Sequence, residues 1–517
     1  MKLRHIAYCL TLAGILTGCD GLDTVPAGST IVDSQRNKSN IESHAYGIMQ
    51  EMTAAVAITG NHNDYGIPAM NMFLESDGMD MVSSYTGYNQ FSSTLTYTDH
   101  MYNSSATRQI WQLNYRIITA SNALIGLVEE GEMGAEPLFY KAMALTTRAY
   151  AYFNLAQIYQ FTYATSKDKP CVPIVDEKMT DDQKCDNPRK TVKEVYDFIM
   201  ADLDQAIVTF DAVKLPRENK MMLDGDVAHG LRARVRLVMQ DWDGALADAK
   251  YLTERYAPYS LKDVSKPTFI NLNDESWIWG LGYTDNMYAV QTGIVNWPSF
   301  LCSLVTNGYT TQARVFRSIN INLYNQISPS DVRCGWWLDS SVQSPLIDGN
   351  AAYEAHVANN GLSAYDNVKF APAGYDPSTQ LNSQDYPLMR AEEMILIQAE
   401  CMARLGDPDA FDVLNNFVKT YRDPYYTNPA TNLDALLDEI WFQRRIELWG
   451  EGFAYQDLMR LNKDVDRRNS NFEADYQWCV AAGSDILLYR IPQHEIEANY
   501  GISEEDNNPA AELPRAY

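Results

Sequence analysis

Aromatic and acidic side chains in two stretches without a helical pattern are the residues of this chain best suited to bind a ligand. The chain holds 33 tyrosines and 10 tryptophans, and many of them lie outside helix-like segments. An aromatic ring can cover the apolar face of a sugar, while nearby carboxylate and amide groups bond its hydroxyls. The stretches 77–97 and 286–309 combine these types, and their candidate ligand-binding residues are Asp80, Tyr85, Tyr88, Asn89, Trp297 and Tyr309. Each ring could equally pack its own loop against the rest of the protein.

Sequence motifs for catalysis, nucleotide binding or metal binding are not found. The seven histidines are scattered, and none lies three or four residues from another. There is no G-x-S-x-G elbow and no phosphate-binding G-x-x-x-x-G-K-[ST] loop. The Asp-rich turns at 77–80 and 241–244 lack the distal glutamate of a calcium loop. We therefore expect no catalytic residue, no metal and no cofactor, although the 67 acidic residues leave open a carboxylate pair for glycoside cleavage.

A charged segment near the C-terminus, Asn432 to Lys463, gives the clearest structural signal. Its apolar residues recur at helical spacing, with Thr431 as the expected cap, and the apolar stripe then runs into charged residues. Because buried charge must be paired, we predict a helical hairpin with a second helix over 453–461, held by a structural ion-pair network. The members of that network are Arg444, Arg445, Glu447, Glu451, Asp457 and Arg460.

This segment resembles the C-terminal signature of the SusD/RagB family of bacterial surface lipoproteins, R-R-x-E-L-x-x-E-G-x-x-x-x-D-L-x-R. Other stretches are similar to the family as well, so the resemblance covers nearly the whole chain: 111–122, 169–175, the Asp331-x-Arg333 pair and 491–496. It implies a mainly α fold in which about four tetratricopeptide-like helical hairpins form a scaffold, with a loop-rich, irregular ligand-binding region inserted between repeats. The family's ligand site is built from the excursion after the first helix together with inter-repeat loops.

Helical periodicity supports this scaffold along the chain. Amphipathic patterns occupy 41–57, 105–128, 136–161, 191–210, 224–256 and 385–421. In the last of these, Asp385 is the expected cap and Pro387 is expected in the first turn. When the turns of the last two patterns are aligned, small residues that let paired helices approach closely fall at matching places. These residues are Ala233, Ala245, Ala399 and Ala410.

The N-terminus has the pattern of an export signal. Lys2 and Arg4 precede an apolar run over 6–16, which is too short to span a bilayer, and a lipobox ends at Cys19. We expect residues 1–18 to be removed, Cys19 to carry the lipid, and 19–40 to tether the protein to the membrane. We expect three regions after the tether. Residues 41–260 form an N-terminal helical-repeat region with a binding-loop excursion at 59–102, residues 261–384 form a loop-rich inter-repeat region, and residues 385–517 form the C-terminal region.

The net charge and the cysteine spacing exclude several classes of ligand and metal site. The formal net charge of −26 disfavours binding of nucleic acid and of strongly anionic ligands. No Cys-x-x-Cys spacing suggests a zinc site, and Cys171 with Cys185 is the one local pair that a disulfide could join.

The resemblance implies a lipoprotein on the surface of the outer membrane that captures an oligosaccharide or polysaccharide. The ligand would be passed, uncleaved, to a SusC-like TonB-dependent transporter. Three alternatives remain open. The same scaffold could bind peptides, the chain could be a secreted glycoside hydrolase, or it could be a scaffold without a small-molecule site, in which case the loop aromatics would be buried.

Overall fold

Long amphipathic helices dominate the part of the chain that the computed structural model describes, residues 38–83, 91–128 and 134–516. The α-helices are α1 (Lys38–Thr53), α2 (Ile67–Asp77), α3 (Ser92–Leu95), α4 (Ser105–Leu127), α5 (Ala135–Tyr159), α6 (Tyr163–Ser166), α7 (Asp181–Cys185), α8 (Val192–Val213), α9 (Gly225–Met239), α10 (Trp242–Thr253), α11 (Tyr288–Gln291), α12 (Trp297–Leu301), α13 (Tyr309–Gln312), α14 (Ile321–Tyr324), α15 (Ala351–Asn360), α16 (Ala391–Arg404), α17 (Ala410–Tyr421), α18 (Leu433–Glu447), α19 (Ala454–Arg460) and α20 (Gln493–Ala498). Short 3₁₀ helices occupy Thr98–His100, Asp263–Ser265, Val332–Trp336, Ala373–Tyr375, Ala474–Tyr476, Asp485–Leu487 and Glu504–Asp506.

The long helices form the predicted scaffold of helical hairpins, which confirms the mainly α fold. Along the chain, α4 packs on α5, α5 on α8, α9 on α10, and α16 on α17 and α18. Local capping fixes where several helices begin: the Thr191 side chain accepts from the Glu194 amide while the Glu194 carboxylate accepts from the Thr191 amide. The four aligned alanines, Ala233, Ala245, Ala399 and Ala410, are fully buried, as close helix packing requires.

Two expected helix starts are wrong. The α18 cap is Asn432 rather than Thr431, because the Asn432 side chain accepts from the Ala435 amide. The segment from Asp385 does not begin a helix: Tyr386–Arg390 is a strand, and α16 begins only at Ala391. The Asp385 carboxylate accepts from two amides of the neighbouring chain segment, which holds the strand in its sheet.

The excursion 59–102 also contains a helix that periodicity did not indicate. Every residue of α2 is buried, so the helix has no polar face to produce a period. Its polar side chains are used for contacts across the fold. The Glu75 carboxylate accepts from the amides of Gly452 and Phe453 and so caps the start of α19.

Three two-stranded antiparallel sheets join distant parts of the described chain. The strands are β1 (Met81–Ser83), β2 (Trp277–Leu281), β3 (Arg317–Ile319), β4 (Tyr386–Arg390), β5 (Val465–Asp466) and β6 (Cys479–Val480). In the first sheet, β1 pairs with β3 with Ser83 opposite Arg317, which connects the excursion to the inter-repeat region. The second pairs β2 with β4, and the third pairs β5 with β6.

The inter-repeat region has no separate core. Its tryptophans are buried in the hydrophobic cluster that also takes in α1, α2, α4 and α5, while a smaller cluster fills the space between α16, α17 and α18. No helix within the described residues is long and apolar enough to cross a membrane. Cys171 is buried and Cys185 is exposed, and both thiols are free rather than joined in a disulfide.

Candidate functional site

His62, in the excursion 59–102, contacts Tyr309, at the end of the predicted stretch 286–309, whereas the predicted stretch 77–97 does not take part in this contact. His62 Nδ1 and the Tyr309 hydroxyl share a hydrogen bond of 2.6 Å, and the ring centroids are 6.0 Å apart. Behind this contact, Tyr309 stacks on Phe300 at 4.7 Å, and Phe300 stacks on Tyr65 at 5.3 Å. We call the surface formed by residues 56–64, 286–293 and 306–314 the His62–Tyr309 face.

The loop that carries His62 is held in shape by polar contacts at its base. The Asp64 carboxylate accepts from the amides of Ile58 at 2.8 Å and Thr59 at 2.7 Å. From α4, Gln109 donates to the Asn63 carbonyl and Arg116 donates to the Ala57 carbonyl. Because side chains of a neighbouring long helix hold both ends of the loop, His62 is presented in a set position.

The opposite loop is fixed by one glycine and one asparagine. Gly308 has φ of 128°, and a Cβ there would lie 2.5 Å from the Ser299 Cα, so only glycine fits before α13. The Asn382 side-chain amide donates to the carbonyls of Gly293 and Asn307, at 3.2 and 3.1 Å. This amide ties the turn after α11 to the residues that lead into Tyr309.

The face combines partly accessible rings with amide side chains. Tyr288 is 64% exposed, and Tyr309 and His62 are half-buried. Asn61 and Gln312 are exposed beside them. Rings and amides in this arrangement suit a neutral, hydroxyl-rich ligand, since the ring covers apolar C–H groups and the amides both donate and accept hydrogen bonds.

Two of the sequence candidates are committed to internal contacts, so the ligand-binding role expected of them is wrong in this structure. Asp80 is 4% exposed, and its carboxylate accepts from Arg445 Nε at 2.9 Å and Nη2 at 2.5 Å. Trp297 is 2% exposed, and its indole N–H donates to the Gln384 carbonyl at 2.9 Å. Its ring also packs edge-on against Phe370 and Tyr386. Both side chains fasten their loops to the fold.

Of the remaining ligand-binding candidates, one lies at the face and the others lie outside the described residues. Tyr309 lies at the face and is half-buried. Tyr85, Tyr88 and Asn89, like Cys19, lie outside the described residues. Sequence reasoning did not single out His62, which stands alone among polar residues and gives no pattern, and Tyr288 carried no signal beyond its place in an aromatic loop.

The six charged residues of the C-terminal signature belong to three separate networks. Arg444 donates to Asp457, which also accepts from Arg460, and Arg460 reaches Glu400. Arg445 pairs with Asp80. Glu447 and Glu451 pair instead with cations from distant segments, so the hairpin is fastened to the rest of the fold rather than only to itself.

The network around Glu447 and Glu451 is buried and, among the described residues, balanced in charge. It joins four cations to four carboxylates, all at most 6% exposed: Arg333, Lys369, Arg390, Arg422, Asp331, Glu392, Glu447 and Glu451. Burial alone would raise the pKa of Glu447, but the guanidiniums of Arg422, Arg390 and Arg333 outweigh it and hold that pKa well below its ordinary range. These charges stabilise the fold by mutual pairing, and none faces an open cleft.

A separate cavity of about 630 Å³ lies between α15 and residues 339–348. Its lining is aliphatic and acidic and includes Asp339, Asp348 and Glu354. None of the described residues that line it is aromatic, so they offer no platform for a sugar.

The fold and the face define a class of protein: a tetratricopeptide-like helical scaffold whose inserted loops form an aromatic and amide-rich surface. Two models of known protein families match this chain. Residues 34–219 match a family model described as starch-binding and associating with the outer membrane, and residues 343–509 match the model of the SusD family. Together these matches cover more than half of the chain, and the chain belongs to the SusD family.

Individual relatives are more distant. SusD-like protein P38 of Formosa agariphila is 30% identical over 113 residues, which are 20% of this chain and only 21% of that relative. A SusD-like carbohydrate-binding protein of Bacteroides vulgatus superposes with a TM-score of 0.74 at 23% identity, covering 92% of this chain and 98% of that one. Surface glycan-binding protein A of Bacteroides thetaiotaomicron, solved with laminarihexaose, gives a TM-score of 0.63 at 18% identity, covering 90% and 98%. At these identities the structural matches establish the fold.

Proposed function

We propose that this protein binds a neutral oligosaccharide or polysaccharide at the His62–Tyr309 face and leaves it uncleaved. The observation that carries the proposal is a set of partly accessible rings on three segments that the fold ties together: the half-buried His62 and Tyr309, which share a hydrogen bond, and Tyr288, which is 64% exposed. Family membership supports it, because a relative of the same fold is described in complex with a glycan.

The charge of the chain favours a neutral ligand over an acidic one. At a formal net charge of −26, the protein repels polyanions at long range. The exposed side chains of the face that can hydrogen-bond without charge include Asn61, Gln291 and Gln312. Amides can donate and accept toward sugar hydroxyls at little cost in desolvation, which suits repeated weak contacts along a chain of sugar units.

Calorimetry of the protein against neutral glycans, with laminarihexaose and maltohexaose among them, tests the proposal. We expect Tyr288→Ala and Tyr309→Ala each to weaken binding by about two- to tenfold, because one aromatic contact contributes about that much to the affinity. Tyr425→Ala is the matched control, because Tyr425 is 82% exposed and belongs to none of the segments of the face.

Two outcomes would contradict the proposal. One is the absence of binding to every glycan tested, and the other is an equal loss for the Tyr425 variant. Binding of a protein digest in place of glycans would instead support the peptide alternative, and release of new reducing ends from a polysaccharide would support a hydrolase.

We propose further that Cys19 is acylated, with palmitate among its chains, and holds the protein on the outer surface of the outer membrane. There it would deliver its ligand to a SusC-like TonB-dependent transporter. The lipobox and the outer-membrane association of the matched family support this. Cys19→Ala should lose palmitate label and leave the membrane fraction, and the intact protein should co-purify with the transporter. A variant that stays in the membrane fraction would count against the anchor.

A further inference from the structure

Asp77, Asp99 and His100 form a cluster in the interior of the fold, apart from the His62–Tyr309 face. Asp77 ends α2, and Asp99 and His100 belong to the 3₁₀ helix 98–100. All three are at most 1% exposed, and one ligand atom from each lies within 4.8 Å of the others. His100 Nε2 is 3.3 Å from Asp77 Oδ1 and 3.8 Å from Asp99 Oδ1.

The atoms that face one another in this cluster have no hydrogen-bond partner among the described residues. They are Asp77 Oδ1, both carboxylate oxygens of Asp99, and His100 Nε2. Buried carboxylates are otherwise paired or bound to a metal, because removing them from water is costly. Within the described chain, Asp77 Oδ1 and both oxygens of Asp99 therefore lack a donor on the side that faces His100, which indicates a missing positive group between them.

The orientation of His100 shows which kind of group fits. His100 Nδ1 lies 2.7 Å from the Ile486 carbonyl, so this nitrogen carries the proton and donates it. In the neutral imidazole, Nε2 presents a lone pair toward Asp77 and Asp99, at the place where an imidazolium would carry its second proton. A histidine that donates its other ring N–H to a backbone carbonyl is the usual arrangement of a metal ligand.

The surrounding groups hold the ligands in place without neutralising them. The Tyr489 hydroxyl donates to Asp77 Oδ2 at 2.6 Å, and the Tyr97 ring stacks on His100 at 4.5 Å. The nearby Arg467 guanidinium donates to the carbonyls of Ser76, Asp77, Gly78 and Leu95 and, within the described part of the chain, to no carboxylate. The Tyr455 hydroxyl is buried without a partner among the described residues, and its ring stands edge-on to His100.

We propose that Asp77, Asp99 and His100 bind a divalent transition-metal ion, with Zn²⁺ the best fit. In a tetrahedral zinc site, bonds of about 2.0–2.2 Å place the ligand atoms about 3.3–3.6 Å apart. The His100 distances lie close to that spacing. Calcium and magnesium prefer an all-oxygen shell, which a histidine does not supply. Tyr455 or a water fills the fourth position, and two carboxylates with a neutral imidazole balance the charge of the ion.

No metal site is expected from the sequence, so this proposal departs from that expectation. Metal binding here does not depend on the proposed glycan binding. Its ligands come from α2 and from the 3₁₀ helix at the end of the excursion, and His100 and Asp77 also contact residues 486 and 489 near the C-terminus. The ion would therefore join the excursion to the C-terminal region and act as a structural metal.

The test measures metal in the intact protein after purification without a metal-chelating resin. We expect about one zinc ion per chain by elemental analysis, and a lower melting temperature after treatment with a chelator, restored by added Zn²⁺. Zinc content below about a tenth per chain, with no change in melting temperature on addition of Zn²⁺, would overturn the proposal.

Variants separate a metal site from a cluster of protonated acids. Asp99→Asn should lose the zinc and melt at lower temperature, because the amide is a poor ligand. If no metal is bound, the same change removes a buried like charge and should raise the melting temperature, which would refute the proposal. Asp366→Asn is the control, since Asp366 is equally buried but accepts hydrogen bonds from Ser318 and Ser363. It should keep the zinc. If Asp99→Asn does not fold, the zinc content and chelator response of the unaltered protein decide the matter.

Discussion

Replacing Glu447 by glutamine should be among the most destabilising conservative changes in this chain. Glu447 is fully buried, and its two oxygens accept from Arg422 at 2.8 and 2.8 Å and from Arg390 and Arg333 at 3.3 Å each. Glutamine keeps the shape but removes the negative charge, so the buried network is left with four cations and three carboxylates. Removing one partner of a buried ion pair costs about 3–5 kcal/mol of unfolding free energy.

Urea unfolding at neutral pH, followed by tryptophan fluorescence, measures this loss. The matched control is Asp438→Asn, because Asp438 is 71% exposed and pairs with Lys463 at the surface. An exposed pair contributes under about 1 kcal/mol, so the control should unfold almost like the unaltered protein. If the Glu447 variant loses no more than the control, the network contributes no net stability and the reasoning fails.

The stability that the Glu447 carboxylate contributes should decrease at low pH. The pKa of Glu447 is lowered in the folded protein from its ordinary value of 4.5. Its ionised form therefore contributes stability above that ordinary value, and the contribution is lost as the pH falls through the lower pKa of the folded state. The difference in stability between the unaltered protein and Glu447→Gln should shrink steadily as the pH drops below about 4.5. A difference that stays constant between pH 7 and pH 3 would contradict the assignment.

Two further predictions concern a glycine and the cysteines. Gly452 has φ of +94°, and a Cβ there would lie 2.5 Å from the Asn71 side chain, so Gly452→Ala should cost about 2–4 kcal/mol in urea unfolding. Gly483→Ala, with φ of +73° and open space, should cost about 1–2 kcal/mol, and an equal loss for the two would contradict the steric argument. In the native protein Cys185 should react with iodoacetamide, whereas Cys171, whose pKa burial raises to about 12, should react only after unfolding. A disulfide-linked peptide containing both would show that the two thiols are joined.

The helical scaffold could be predicted because its signals are local. Amphipathic periodicity and capping residues, such as Thr191 with Glu194, act within a few positions of one another. The helix α2 could not be found in this way, since it is buried on every side and has no period. The strand β4 was mistaken for a helix start because Pro387 suits a first helical turn, whereas its partner Gly280 lies far away in sequence.

The candidate face overlaps the predicted stretch 286–309 but not the predicted stretch 77–97, and the sequence did not show which rings would be exposed. Trp297 and Tyr309 lie in one loop and offer similar chemistry, yet the first is buried and the second reaches the surface. The difference arises from the Gln384 carbonyl, which receives the indole N–H of Trp297. The proposed metal ligands were hidden for the same reason, because Asp77 joins Asp99 and His100 only after the excursion has folded.

The buried ion-pair network explains how a helical scaffold can carry so much irregular structure. Arg333 and Lys369 come from the inter-repeat region. Their counter-charges are Glu447, the last residue of α18, and Glu451, which lies in the turn between α18 and α19. Since a charge taken from water is stable only beside its partner, the loops are held at these points whatever their surface residues are. No member of the network belongs to the His62–Tyr309 face. Substitution of the exposed Tyr288 should therefore change ligand binding while leaving the unfolding free energy nearly unaltered, and for this residue the two kinds of measurement can be interpreted independently.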